Sequence, residues 1–424
     1  MKKRLSKHVL TFWVIALISH VASAQTTTIS PQLRSHVLQG IESGQYASMF
    51  IAVQDGDNEE CLMANSENHF LNRETKIDVS ELLPVWVSLQ MADMMDLGIQ
   101  PDLYINELLD KNQRAKDKQF KKAKLFHLAV QSSGLSEENS QQDDYCNSYE
   151  EENLSFTKRS IDFVPGMVYN QGSNDLYYLS KLLLKKYGLP CELYFNDNLF
   201  RKVSLTNTFV VNGGKIQSEG DNFKKGSFVS TPNDLIQLMK IQTGLKSIDL
   251  QPHVIALRKY RKETRFKNGL ISAGWLVYQS DSSNYYYRFA QAEKMNIFMA
   301  FEPNSKKSVV IVSETKENLA SIVWHIMLNE KLVPGNTHIP CIDISKCVGE
   351  YSANGEEFIS VIKKNGKMVL YLNGEEAHVC HPYSGTNFLL STKAISLQFE
   401  VNENDEVDAL FLKGYSAVRY VRIN

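Results

Sequence analysis

The chain has 424 residues, long enough for one large core and an appended module. Hydrophobic residues make up 43% and charged residues 22%, which excludes a disordered or fibrous chain and fits a globular one. A formal net charge of -2 carries no footprint for nucleic acid, so no nucleic-acid partner is expected.

In chain order, residues 1–24 read as a signal peptide. Lys2, Lys3, Arg4 and Lys7 precede a short apolar run at 9–18, and Ala22-Ser23-Ala24 is a small-residue cleavage site before Gln25. The run is too short to span a bilayer comfortably, and no later segment is long and apolar enough to do so. The mature protein is therefore expected to be exported, periplasmic or secreted, without a membrane span.

Residues 30–44 have the spacing of a helix, with Leu33, Val37, Leu38 and Ile41 on one face and Gly44 as its stop. Strands are predicted at 49–53 and 60–64, around an Asp55-Gly56 hairpin signal. A helix apolar on most sides follows at 83–97, the pattern of a helix buried in a large domain. Residues 109–122 read as a solvated surface segment. The acidic stretch 136–153 has a sharp reading, a cation-binding loop, and a plain one, a solvated insertion; composition favours the second. Helices are predicted at 174–187 and 231–244, the latter with Thr231 as N-cap and Pro232 in its first turn. Strands fill 270–313, and a helix is predicted at 319–332. Beyond the linker at 334–340 there are only short alternating strands and polar turns, the texture of a barrel or sandwich. The expected fold class is mixed α and β: an antiparallel sheet with flanking helices at 25–335, then a small all-β barrel-like domain at 341–424.

Six cysteines (Cys61, Cys146, Cys191, Cys341, Cys347 and Cys380) are too few to frame a chain of this length. Export permits disulfides; Cys341 and Cys347 are close enough to close a small loop, but the pairing stays open. Strand alternation puts His378 and Cys380 on one face and His381 on the other, and no second cluster has zinc spacing. No metal and no cofactor is expected.

Several stretches, in this order, resemble the serine β-lactamase-related family, which includes class C β-lactamases, DD-peptidases and esterases. "SLQMADMMDLGIQPDLYINELL" resembles the helix and turn after the nucleophile. "LFHLAVQSSGL" keeps His127, Ser133, Gly134 and Leu135, and "VPGMVYNQGSNDLYYLSKLL" keeps Pro165, Gly166 and Tyr169. "GSFVSTPNDLIQLM", "AGWLVY" and "MAFEPNSKKSVVIVSE" also fit. The resemblance implies a β-lactamase/transpeptidase-like domain. It also implies a serine heading a buried helix, a lysine at i+3, a tyrosine from a Y-x-N turn, and a Lys or His before a Gly on the facing strand.

Aligned outward from the retained flanks, each of those positions is substituted. The serine falls on Glu81, the lysine on Pro84, the tyrosine on Gln171 and its asparagine on Ser173. The facing strand falls on Arg288 and Ala290. Glu81 has no hydroxyl to activate, and Pro84 and Gln171 are no bases. S-x-x-K occurs at Ser155-Lys158, Ser313-Lys316 and Ser360-Lys363, none of which heads the buried helix. Ser80 is one residue from the serine position, but three residues on stands Leu83. The expected function is an exported pseudoenzyme that binds or interacts. Its cleft is lined by Glu81, Gln171 and Arg288 and takes a small carboxylate or peptide, with Arg288 as the carboxylate holder. The alternative is a serine hydrolase (D-amino-acid peptidase, β-lactamase or esterase) with displaced catalytic residues.

Overall fold

The computed structural model describes residues 28–423 apart from 68, 136–145, 147–153, 158–160, 171–173, 212–222, 265–268, 281, 292–294, 316, 318, 330–331, 333–342, 354, 356, 365–366, 385–386, 391–395, 403, 405 and 414–418. Helix α1 (Pro31–Glu42) starts under a Ser30 cap that accepts from the Leu33 N–H. Strands β1 (Ser48–Asp55) and β2 (Asn58–Asn65) form the hairpin, each longer than their apolar runs because pairing continues through polar residues to the turn. Strand β3 (Ile77–Asp78) and one 3-10 turn (Ser80–Leu82) lead into α2 (Leu83–Asp96). Short α3 (Leu125–Ala129) and long α4 (Asp175–Tyr187) pack against α2. Next come α5 (Cys191–Leu193), a π-helical stretch, α6 (Phe200–Lys202), β4 (Phe209–Val210) and β5 (Phe228–Ser230). Then α7 (Pro232–Thr243), with Thr231 as its cap, and α8 (Gln251–Leu257) complete the helical side.

Six further strands follow: β6 (Arg261–Glu263), β7 (Gly269–Ser272), β8 (Trp275–Gln279), β9 (Asn284–Gln291), β10 (Asn296–Glu302) and β11 (Lys307–Glu314). With β1 and β2 they make an eight-stranded antiparallel sheet in the order β2-β1-β11-β10-β9-β8-β7-β6. Its central strands are buried on both faces, which explains their unbroken apolar runs. On β1, Phe50 and Ala52 join the core shared with α2 and α7, while Met49, Ile51 and Val53 join a second core under α1 and α9 (Ala320–Leu328). Helix α9 stops short of the predicted 332 because Asn329 takes a left-handed conformation, φ 55°, and caps it.

A short helix α10 (Ile344–Cys347) precedes β12 (Gly349–Ala353), β13 (Glu357–Lys364), β14 (Lys367–Leu372) and β15 (Glu375–Ser384). The chain ends with β16 (Asn387–Leu390), β17 (Ser396–Val401), β18 (Val407–Lys413) and β19 (Arg419–Arg422). Each pairs antiparallel with the next, and β19 returns to β12, closing a barrel. Tyr351, Met368, Phe388, Phe399 and Tyr420 fill a core of its own. Cys380 points into this core, and burial pushes its thiol up to about 12. One disulfide joins Cys146 to Cys191; Cys341, and with it the Cys341–Cys347 loop, lies outside the described residues.

Candidate functional site

The head of α2 is fixed by its neighbours in the small sheet. The Val79 N–H donates to the Phe228 carbonyl at 2.8 Å, and the Ser80 hydroxyl accepts from the Phe228 N–H at 3.0 Å. The Ser80 N–H donates to the Asp78 carboxylate at 2.9 Å. Ser80 is thus part of the hinge between β3 and β5, and none of its hydrogen bonds reaches a lysine or a histidine. Glu81 is exposed in the 3-10 turn, and Pro84 is buried in the first turn of α2, where no intrahelical N–H bond is lost. Farther along, Asp93 is buried and held by the Tyr194 hydroxyl and the Lys202 ammonium, each at 2.9 Å. Trp86 is wedged by Phe200 and Phe228. These contacts anchor a helix whose interior is built to stay put.

The two loops opposite are laced together. The Gly166 N–H donates to the Ser132 carbonyl at 2.7 Å, and the Asn170 N–H to the Gln131 carbonyl at 2.8 Å. Ser133 donates through its N–H, at 3.0 Å, and its hydroxyl to the carboxylate of buried Asp175 on α4. Gly134 has φ +77°, and a Cβ there would lie 1.9 Å from the Phe163 carbonyl oxygen, so only glycine fits. His127 Nδ1 accepts from the Lys124 N–H at 3.1 Å, which places its proton on Nε2. Burial first, then the Lys124 charge, pulls its pKa down to about 4, with Asp102 opposing. His127 is therefore a neutral capping residue against Gly166. Gln171 and Ser173, which follow this loop, lie outside the described residues, as does the acidic stretch 136–153 apart from Cys146.

On β9 the two-residue period puts Tyr286, Arg288 and Ala290 on the buried side of the strand, with Phe289 exposed. The 3-10 turn bearing Glu81 packs on β9. Gly274, between β7 and β8, lies against Pro84 and Ser88 of α2. Arg288 is 9% exposed and, among the described residues, its side chain makes no hydrogen bond or ion pair. Burial pulls its guanidinium below its ordinary value, while Tyr169, Tyr287 and Glu81 pull the other way. Tyr169 packs with Val130, Ile271 and Leu276, and its buried hydroxyl has no partner among the described residues. Burial raises that hydroxyl's pKa, and Arg288 opposes the rise.

Three segments far apart in sequence thus bring Glu81, Tyr169 and Arg288 together, while Pro84 and Ala290 serve packing. Tyr169 escapes sequence reasoning because it stands where the family pattern has an aromatic core residue; its hydroxyl is the single available signal. A separate open hollow of about 590 Å3, lined among others by Lys76, Asn196, Arg201 and Phe209, shares no residue with this site.

No family model and no curated protein matches the sequence. Solved structures do. An octameric penicillin-binding protein homologue from Pyrococcus abyssi is 13% identical with a TM-score of 0.58, covering 92% of this chain and 99% of that one. SurE is 13% identical with a TM-score of 0.60, covering 92% of this chain and 98% of that one. A β-lactamase/D-alanine carboxypeptidase from Pseudomonas syringae is 12% identical with a TM-score of 0.56, covering 70% of this chain and 98% of that one. Together with the sheet order and the placement of α2, these likenesses give the chain the serine β-lactamase-related fold, with a β-barrel following it.

Proposed function

We propose that this chain is an exported, catalytically inactive member of that fold, kept as a binding or interaction module. The reading rests on the head of α2: counting outward from the retained flanks puts Glu81 and Pro84 at the positions of the nucleophilic serine and its lysine, on a helix still buried and anchored. A carboxylate cannot take the serine's part in acyl transfer, and a proline ring has no proton to exchange. The neighbouring hydroxyl, Ser80, accepts from the Phe228 N–H, and no described lysine or histidine hydrogen-bonds to it. What remains is a receptor. A planar guanidinium with five N–H donors holds a carboxylate in two-point contact, and Arg288 is buried with none of those donors engaged among the described residues. The expected ligand is a small carboxylate or a peptide. The basic leader with its small-residue cleavage site, and the Cys146–Cys191 disulfide, support export.

A serine-directed fluorophosphonate probe tests the inactive site. The expected outcome is labelling no greater than in the heat-denatured protein. Labelling abolished by one serine substitution would overturn the reading in favour of a hydrolase with displaced residues.

A further inference from the structure

Arg288 and Tyr169 both carry hydrogen-bond donors that no described residue engages. Arg288 is nine-tenths buried, and the Tyr169 hydroxyl is buried with no partner among the described residues. A buried hydroxyl without a partner beside an unengaged guanidinium marks a place that an anionic oxygen fits, since leaving a buried polar group unpaired is costly. Glu81 sits beside this place on the 3-10 turn packed against β9. Among the described residues it is the one carboxylate whose charge bears on Arg288, yet the two are not within the 4.0 Å of an ion pair. Glu81 has no ion-pair partner elsewhere among the described residues. A plain carboxylate that reaches Arg288 therefore meets a like charge at the entrance. A molecule that carries its own cation meets an opposite one.

On the reading of Arg288 as the anion receptor, we propose that the site takes a zwitterion, an amino acid or short peptide with both ends free. Its carboxylate rests on Arg288 and the Tyr169 hydroxyl, and its ammonium faces Glu81. The residue at the abandoned serine position thereby becomes the selector for the free amine. This role needs a carboxylate at that position, which a mere helix-start residue would not.

The test is a titration of the mature chain with alanyl-alanine and with N-acetyl-alanyl-alanine, each as the D,D and L,L forms, followed by NMR. The free-amine form is expected to bind at least about tenfold more tightly. Glu81→Gln, an exposed and isosteric change, should erase that preference by weakening the free-amine form alone. Arg288→Gln should abolish binding of both, with near-UV circular dichroism showing the fold retained and Arg288→Lys restoring part of it. Equal affinity for the two forms, or a preference that survives Glu81→Gln, overturns the zwitterion and leaves the Arg288 receptor standing. Absence of binding by either form, or binding indifferent to Arg288→Gln, overturns both.

Discussion

At the scale of single residues, the retained motif residues are accounted for by the contacts they make. His127, Ser133, Gly134 and Gly166 are the residues the resemblance retains, and their contacts give them a structural part: they lace two loops together. His127 makes this measurable. Its pKa is about 4 in the folded chain against 6.5 when unfolded, so the unfolded state binds the proton first as pH falls. The contribution of the neutral imidazole is complete above 6.5 and is lost progressively toward 4. Denaturant titrations should show stability falling across that window. His127→Asn, which keeps an acceptor for the Lys124 N–H, should flatten the fall. An unchanged slope in the variant would contradict the assignment. Arg288 was legible by counting back from a strand of plain β texture. The reach of Asp175 across to Ser133 was not, because an acidic residue in the first turn of a helix already has a local reason to be there.

At the scale of elements, legibility followed length and periodicity. Helices α1, α4 and α7 were readable from an apolar face, joined in α7 by a cap with proline behind it, and α2 from being apolar on most sides. The β3-β5-β4 sheet escaped, since strands of two or three residues carry no alternation to detect. So did α3, α8 and the turns from α5 to α6, each too short to show a face. The junction of α2 with the large sheet is the element contact that defines the site. Gly274 has φ +80°, and a Cβ there would fall 2.7 Å from both the Pro84 carbonyl oxygen and the Ser88 Cβ. Gly274→Ala combines backbone strain with a clash against helix backbone. It is expected to cost at least about 2 kcal/mol, read as a lowered denaturation midpoint. A neutral outcome would mean that α2 and the β7–β8 turn are not in close contact.

At the scale of the molecule, the fold was legible because many weak signals agreed in order, and the site was less so because it draws on three distant segments, one of them seen only through a tyrosine's hydroxyl. The Cys146–Cys191 pairing was also beyond the sequence, which offers fifteen ways to pair six cysteines. Its sequence separation of 45 implies a stabilisation of about 4 kcal/mol in the chain-entropy picture. Replacing both cysteines by serine should lower the stability measured in urea by an amount of that order. No loss would show that the bond does not constrain the unfolded chain.

The central claim is that the scaffold persists after its acylating serine has gone. It is tested most directly by prolonged incubation of the mature chain, and of its Ser80→Ala variant, with a fluorescent penicillin, followed by intact-mass measurement. The account predicts unchanged masses and no bound fluorescence in either protein. A stoichiometric acyl adduct on the parent chain that disappears when a single serine is replaced would contradict it.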